Sequence, residues 1–315
     1  MKPGNSKISK EFVNNLKTFK KIFNQKRAYN FFQEYFIVNY LNNIGIKCVP
    51  KIYRIDRSKK IIFYEFIDKL DINLYEKSIL FEKCTINNIL KINNSEIPIK
   101  LLAKEALEDN IINFKQISYR IFQHKKNKSF NTKYSNQIEE IDLALENLKT
   151  HFLEINPVSK MVFSQADAGI HNSIFGKDNC IYLVDMEYAG LDSPVKLHID
   201  YLIHPKNVSY TRDSYNWSNY FYENFISEKD LKNINVFNAF FALKWSLIVL
   251  NEFLPENWNL RINADSSRFK KRDIILENQI IKSKLYLEAS KKLYDRVKPQ
   301  LLFTESERFL LSKSY

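Results

Sequence analysis

Two polar windows, SQADAGIHNSIF (residues 164–175) and YLVDMEYAG (residues 182–190), interrupt apolar runs in the second half of the chain. The first window places Asp167 and Asn172 five residues apart in a predicted loop. The second places Asp185 at the end of a predicted strand. A site that must take up a proton and hold a metal ion needs residues of these types.

A predicted hairpin brings these side chains together. Ser173–Phe175 and Cys180–Val184 have the pattern of two short strands, and GKDN between them is a typical turn. Because the turn lies at one end of the ladder, Asn172 and Asp185 lie at the other, and Asp167 leaves from the same end. Carboxylate and amide oxygens suit Mg²⁺, and the third group can accept a proton. The ordinary alternative for each residue alone is a turn or cap.

Composition places the chain among globular proteins. Its 315 residues are 45% hydrophobic and 27% charged, with 5 glycines, which suffices for two domains with real cores. The net charge of +12 is spread over short basic clusters without interleaved aromatic residues. A nucleic-acid-binding protein is therefore disfavoured, although salt-dependent binding to DNA or RNA would reveal one.

The cysteines and the apolar segments indicate a cytoplasmic protein. Cys48, Cys84 and Cys180 are far apart, which argues against a zinc site and fits a reducing compartment. The first residues contain no apolar signal core. The most apolar stretch, residues 239–254, is interrupted by charged residues, so we expect a buried helix and no membrane span.

The first seventy residues predict a small α+β unit. Gly45 follows a helical pattern and provides a stop signal. The predicted elements are strands 7–12 and 16–19, helix 27–41, and strands 52–56 and 61–67.

The remainder is mainly helical by pattern. Residues 72–150 are predicted as helices with a break near 124–136, and Ile138–Leu153 is one amphipathic helix. A short strand, Val158–Phe163, leads into the first window. From Lys196 onward the pattern is helical again, with loops predicted near 205–216 and 255–266. We therefore divide the chain into a lobe of residues 1–68 and a helical lobe of residues 69–315.

The two windows resemble the aminoglycoside phosphotransferase and choline kinase family. Members carry a catalytic loop of the form H-G-D-x-x-x-x-N and then a strand ending in I-D-F/W, often followed by E-Y-A. Here the corresponding residues are Gln165-Ala166-Asp167, Asn172 and Val184-Asp185-Met186-Glu187-Tyr188-Ala189. A second branch with the loop S-x-x-D-x-G-x-H-N is matched by Ser164, Asp167, Gly169, His171 and Asn172, and its later run by residues 192–196 and Asp200.

This resemblance implies a bilobal protein-kinase-like fold. A small N-terminal antiparallel-sheet lobe covers the nucleotide, and the larger lobe is mainly helical. Asp167 would be the catalytic base, and Asn172 and Asp185 would hold Mg²⁺ between the phosphates. Asp200 would brace the catalytic loop. Gln165 replaces the usual histidine, which leaves open how the loop is braced.

The resemblance also assigns nucleotide-binding residues in the first lobe. Gly4-Asn5-Ser6 resembles the end of the glycine loop that covers the phosphates. Lys17 would be the strand lysine on the phosphates, and Glu34 its ion-pair partner. Lys20 and Lys21 lie beside Lys17 and are alternatives in sequence.

The stretch Phe63–Ile67 would be the hinge between the lobes. Its backbone around Glu65 and Ile67 would contact the adenine ring of ATP, which is the implied co-substrate, with GTP as the open alternative.

The function implied is an ATP- and Mg²⁺-dependent transfer of the γ-phosphoryl group to a hydroxyl of a small molecule, of the sugar or amino alcohol type. The alternative is a catalytically inactive kinase-like protein that binds a nucleotide or a partner. The net charge favours a neutral or anionic acceptor, such as a sugar or sugar acid, over a polycation. Candidate acceptor-site residues are Trp217, Lys244, Trp245, Glu252, Trp258 and Arg261.

Overall fold

A computed structural model describes residues 7–25, 28–95, 101–127, 132–207, 215–264 and 266–296. Gly4-Asn5-Ser6 lies outside the described residues. The strands are β1 Lys7–Val13, β2 Leu16–Ile22, β3 Ile52–Asp56, β4 Ile61–Glu65, β5 Val162–Ser164, β6 Ser173–Phe175, β7 Ile181–Leu183 and β8 Gly190–Asp192. The helices are α1 Ala28–Asn43, α2 Leu74–Asn93, α3 Asn110–Lys126, α4 Thr132–Glu154, α5 Pro194–Ile203, α6 Tyr215–Asn224, α7 Glu228–Lys232, α8 Ile234–Ile248, α9 Pro255–Ala264 and α10 Arg272–Tyr294.

The N-terminal sheet has four antiparallel strands in the order β1-β2-β4-β3. Asn14 and Asn15 form the β1–β2 turn with positive φ angles, a conformation that asparagine tolerates better than most residues. β4 is the central apolar strand, and Ile62, Phe63 and Tyr64 in it are buried. The predicted order of strand, strand, helix, strand, strand is confirmed.

Helix α1 packs an apolar stripe into the core of this region. Phe31, Ile37, Val38 and Leu41 recur at helical spacing and are buried. The helix ends at Asn43, and Gly45 follows with a φ of 71°. Its N–H donates to the Asn42 carbonyl (3.0 Å), which satisfies an otherwise unpaired group at the helix end. The predicted stop is confirmed.

The two windows form the predicted hairpin and one strand pair that the sequence did not suggest. β6 and β7 pair in antiparallel fashion, with Ser173 opposite Leu183. β8 pairs with β5, so that Ser164 lies opposite Gly190. A strand of three residues has too little alternation to be recognised in sequence. Gly190 is required there, because a Cβ atom on it would lie 2.5 Å from the Leu102 carbonyl carbon.

The described residues group into two compact units. The first comprises the residues up to Lys104 together with Val162–Asp192, and it contains all eight strands, α1 and α2. The second comprises Glu105–Met161 and the residues from Ser193 onward, and it is helical. The predicted lobe boundary at residue 68 stays a prediction.

Helix α8 is the centre of the second unit. Phe237, Phe240 and Phe241 on it are fully buried, and the Phe240 ring stacks on Phe152 of α4. Among the described residues, Ile234–Phe253 is the one helical stretch long and apolar enough to cross a membrane, and 72% of its most apolar window is buried inside the structure. The prediction of a buried helix is confirmed.

One predicted loop is wrong. Residues 255–264 form α9, and a 3₁₀ turn follows at Ser266–Lys271. Pro255 is the first residue of α9, a position that suits proline because its N–H would be unpaired there and its φ is already helical. The predicted α+β class, with an N-terminal antiparallel sheet and a mainly helical remainder, is confirmed.

We predict that Gly190→Ala lowers the free energy of unfolding by about 2 kcal/mol or more, because the new methyl group would overlap backbone atoms that cannot rotate away. Gly45→Ala is the comparison, since its methyl group meets nothing closer than 3.6 Å and only the positive φ is penalised, by about 1 kcal/mol. Urea unfolding of both variants measures the difference. An equal or smaller loss for Gly190→Ala would contradict the close approach of β8 to residues 101–103.

Candidate functional site

The loop after β5 joins Asp167 to Asn172. The Asn172 side-chain nitrogen donates to the Asp167 carboxylate (Nδ2–Oδ2, 3.0 Å) and to the Asp167 carbonyl (2.9 Å). A 3₁₀ turn at Ile170–Asn172 shortens the loop enough for this contact. The structure thus brings together the two residues that the D-x-x-x-x-N spacing singled out.

The carboxylate of Asp167 is held at both oxygens. The ring nitrogen Nε2 of His171 lies 3.3 Å from Oδ1, and Asn172 binds Oδ2. The Asp167 side chain is still 39% exposed. A carboxylate that is oriented but reachable can accept a proton from a bound hydroxyl group.

Gln165 connects the loop of residues 165–172 to the segment that leads from β7 to Asp185. Its side-chain nitrogen donates to the Val184 carbonyl (2.5 Å) and to the Asn172 carbonyl (3.3 Å). The Val184 N–H also donates to the Asn172 carbonyl (2.9 Å), which extends the β6–β7 ladder. The amide that replaces the usual histidine therefore fixes the loop by hydrogen bonds of its own.

Lys77 on α2 also contacts this loop, and sequence reasoning did not identify it. Its ammonium group donates to the carbonyl oxygens of Ile170 and Ser173, each at 2.7 Å. Burial, assisted by the charge of Lys69, lowers the pKa of Lys77 to about 8. In sequence Lys77 is one of three lysines in an amphipathic helix, so no local signal distinguishes it.

A buried lysine on β2, Lys21, lies against Asp185. The Lys21 side chain is 5% exposed, and its Nζ lies 2.6 Å from Glu34 Oε2 and 2.5 Å from Asp185 Oδ1. Glu187 Oε2 lies 3.8 Å away. Glu34 has the predicted place on α1 beside a strand lysine.

The charges of this cluster depend on one another. Burial alone would lower the pKa of Lys21, but Asp185, Glu34 and Glu187 overcome it and raise that pKa above its usual value. Burial raises the pKa of Glu34 to about 7, although Lys21 opposes the shift. The Tyr64 hydroxyl donates to the second Glu34 oxygen (2.6 Å). Burial and the attraction to Lys21 thus act in opposite directions on the pKa of Glu34.

The prediction that Lys17 is the partner of Glu34 is wrong. Lys17 is 45% exposed, pairs with Asp68 at 3.3 Å, and lies over the Phe66 ring. It is on the same face of β2 as Lys21 but four residues nearer the β1–β2 turn, a distance of roughly 13 Å along a strand. The alternation that makes the two lysines equivalent in sequence does not show which of them lies opposite Glu34.

The predicted hinge residues lie at the end of β4. Glu65 is the last residue of this strand, and its N–H donates to the Lys51 carbonyl (2.8 Å). Ile67 follows outside the strand. The contact of their backbone with adenine stays a prediction.

The metal-binding prediction agrees with the chemistry of the donors. Because the Asn172 nitrogen is committed to Asp167, its amide oxygen is the atom left for a cation. Asp185 is 40% exposed and offers a carboxylate. These oxygen ligands fit Mg²⁺, which completes its coordination with water and substrate phosphates.

Two of the candidate acceptor-site residues are part of the core of the second unit. Trp217 is fully buried between the rings of Tyr201 and Phe221. Lys244 is buried and its Nζ lies 2.8 Å from Glu105 Oε2, so it is held in an ion pair. This ion pair accounts for the burial of Lys244, because a buried ammonium needs a fixed counter-charge, and a contact of Lys244 with an acceptor stays a prediction.

The other candidates also have partners within that unit. Trp245 Nε1 donates to Asp200 (3.1 Å), and Lys196 pairs with the same carboxylate (3.0 Å). Glu252 binds Arg268 at 2.5 Å and lies 4.0 Å from Arg261. Bracing of the catalytic loop by Asp200 stays a prediction.

Comparisons with known proteins support the fold. No family model matches the chain, and no curated protein matches it at a significant level. Solved structures do match. Choline kinase LicA from Streptococcus pneumoniae is 14% identical, with 90% of this chain and 89% of that chain covered and a TM-score of 0.53.

Two further solved structures are antibiotic phosphotransferases. In a complex with gentamicin, APH(2")-IIa is 13% identical, with 98% and 92% of the two chains covered and a TM-score of 0.53. Spectinomycin phosphotransferase APH(9)-Ia, in complex with ADP and spectinomycin, is 13% identical over 99% and 91%, with a TM-score of 0.51. The chain thus has the fold of the choline kinases and aminoglycoside phosphotransferases, which confirms the resemblance at the level of the fold.

We predict that Ala166→Gly raises the free energy of unfolding by up to about 1 kcal/mol. Ala166 has a φ of 63°, a conformation that costs a residue with a side chain about 1–2 kcal/mol. Glycine avoids this cost, but it loses more conformational entropy on folding, which offsets part of the gain. Ala166 is the centre of a tight turn in which the Asp167 N–H donates to the Gln165 carbonyl (2.8 Å). Urea unfolding measures the change. A clear loss of stability would contradict the strained conformation.

We predict that Lys21→Met lowers the free energy of unfolding by about 3 kcal/mol or more, because it leaves the buried carboxylates of Glu34 and Glu187 without a counter-charge. Lys17→Met is the matched control on the same strand face and should cost less than about 1 kcal/mol, as surface ion pairs do. Chemical unfolding of both variants tests this. Equal effects would refute the assignment of Lys21 as the buried lysine.

Proposed function

We propose that this protein is an ATP- and Mg²⁺-dependent phosphotransferase that moves the γ-phosphoryl group of ATP to a hydroxyl of a small molecule of the sugar or amino alcohol type. The observation that carries the proposal is the contact of Lys21 with Asp185 at 2.5 Å. The buried ammonium of Lys21 thus lies beside a predicted Mg²⁺ ligand. Asp185 directly follows Val184, which forms hydrogen bonds with the loop that carries Asp167. The ADP and spectinomycin bound by one structural neighbour support this reading.

Each residue has a role that follows from its chemistry. Lys21, held by Glu34, binds phosphate oxygens through its positive charge. Asn172 and Asp185 would hold Mg²⁺, which would neutralise charge on the phosphates. The hydroxyl oxygen of the acceptor attacks the γ-phosphorus while the bond to the β–γ bridging oxygen breaks. The hydroxyl proton passes to Asp167, which His171 and Asn172 keep in place.

The acceptor is defined only by its hydroxyl group. Lys244 forms an ion pair with Glu105, and Arg261 lies 4.0 Å from Glu252, so neither side chain by itself favours an anionic acceptor. Sugars and amino alcohols are both candidate acceptors. The backbone at Glu65 and Ile67 remains our proposal for the adenine contact, and a cytoplasmic location remains our proposal for the compartment.

We expect Mg²⁺-ATP or Mg²⁺-GTP to raise the melting temperature of the protein by a few degrees, because a ligand that binds only the folded state stabilises it. Asp185→Asn should lose this shift. Asp178→Asn is the matched control, because Asp178 lies on the same hairpin at the turn and accepts from the Tyr182 hydroxyl (2.6 Å). If neither nucleotide raises the melting temperature, the proposed nucleotide binding is contradicted and only the similarity of fold is left.

Transfer is then measured with ATP and a set of acceptors comprising choline, gentamicin, spectinomycin and simple hexoses. We expect one class to be phosphorylated, and Asp167→Asn to reduce turnover by about 100-fold or more while retaining the thermal shift, since a missing general base costs that much. A nucleotide shift without transfer to any acceptor would favour the inactive nucleotide-binding alternative.

A further inference from the structure

We propose that Lys77 is a positioning residue, which holds the segment Ile170–Ser173 so that Asp167 and Asn172 keep their mutual geometry. The proposal rests on the proposed phosphotransferase function for its effect on turnover. Lys77 lies in the first turn of α2, outside every motif of the two windows. Its ammonium donates to the carbonyl oxygens of Ile170 and Ser173, each at 2.7 Å.

The hairpin creates the need for such a donor. Val184 N–H donates to the Asn172 carbonyl and Gly176 N–H donates to the Cys180 carbonyl. Hydrogen-bonded pairs alternate with open pairs in an antiparallel ladder, so Ser173 and Leu183 form an open pair whose backbone groups point outward. Leu183 N–H finds the Cys48 carbonyl (2.7 Å). The Ser173 carbonyl accepts from Lys77, as does the carbonyl of Ile170.

These two carbonyls bracket the residues that matter for the reaction. His171 and Asn172 lie between them, and both contact the Asp167 carboxylate. One ammonium group therefore links the two ends of the turn by hydrogen bonds. A rotation of this turn would displace both partners of Asp167. Asn172 would also lose its alignment as a cation ligand.

A structural advantage alone does not explain a lysine at this place. Among the described residues, the hydrogen bonds of Lys77 go to neutral carbonyls and to no carboxylate. Partial burial of a cation without a counter-charge costs stability. What the lysine provides is a donor long enough to reach from α2 and able to bind two acceptors at once.

The turn of α2 that carries Lys77 is itself fixed. Asn73 caps the helix by accepting from the Glu76 N–H (2.8 Å). The Ser78 hydroxyl donates to the Tyr75 carbonyl (2.7 Å). The start of the helix is therefore defined, and Lys77 reaches the loop from a rigid base.

The same helix offers a matched control. Lys91 also lies on α2 and donates a bond of the same length, 2.7 Å, to a single carbonyl, that of Gly45. Lys77→Met and Lys91→Met each replace one of these lysines by an uncharged side chain of nearly the same length. Lys77→Arg keeps the charge and the donors, and Lys77→Gln is a milder variant should the methionine variant not fold.

The first measurement is hydrogen–deuterium exchange of the protein without ligands. We expect Lys77→Met to speed exchange at the amides of Asn172 and Val184 by about tenfold, since two charge-assisted bonds are lost. Lys77→Arg should restore protection in part. Lys91→Met should change exchange only near Gly45. Equal exchange of the loop amides in wild type and Lys77→Met would overturn the proposal.

The second measurement is steady-state turnover of Mg²⁺-ATP, with the acceptor found above or with water. We expect Lys77→Met to lower kcat by about tenfold or more, with KM for ATP within about twofold. The Mg²⁺ concentration for half-maximal rate should rise, because Asn172 is displaced. Lys91→Met should change neither kcat, nor KM for ATP, nor the Mg²⁺ concentration for half-maximal rate. A rise in KM alone would contradict a positioning role.

The two measurements separate the two proposals. Faster exchange of the loop amides in Lys77→Met, with no turnover even in the wild type, would support the positioning role of Lys77 and refute the phosphotransferase function. If the wild type is active and Lys77→Met changes neither turnover nor the exchange of the loop amides, the positioning role of Lys77 is refuted and the phosphotransferase function is not.

Discussion

The structure of the site depends on the burial of one ammonium group. Lys21 lies where water is largely excluded, and a cation in such a place must be surrounded by anions. One carboxylate comes from α1, and two come from the segment after β7. The sheet, the helix and the hairpin are therefore joined at a single atom. This constraint places Asp185 beside the sheet that carries the strand lysine.

Hydrogen bonds connect the segment before Asp185 to the loop that carries Asp167 and Asn172. Val184 binds the Asn172 carbonyl, and Asn172 binds the Asp167 carboxylate. Gln165 links the same two strands from the other side. In a kinase such an arrangement aligns phosphate, metal and base with one another, and positioning is most of what catalysis of phosphoryl transfer requires.

The hairpin, the α+β class and the proximity of Asp167 and Asn172 could be predicted because their signals are local. Alternation gives the strands, GKDN gives the turn, and pairing then places the polar residues at one end. The choice between Lys17 and Lys21 was not local. Both lie on one face of β2, and only the packing of α1 shows which lies opposite Glu34. For the same reason Lys77 was missed, since its acceptors lie 93 and 96 residues away.

The most direct measurement is a crystal structure of the protein with Mg²⁺ and a non-hydrolysable ATP analogue. Our account predicts that Nζ of Lys21 lies within hydrogen-bonding distance of phosphate oxygens, with the cation on Asn172 and Asp185 and the γ-phosphate facing Asp167. Phosphates bound by Lys17, or a nucleotide bound away from the Lys21 cluster, would contradict it.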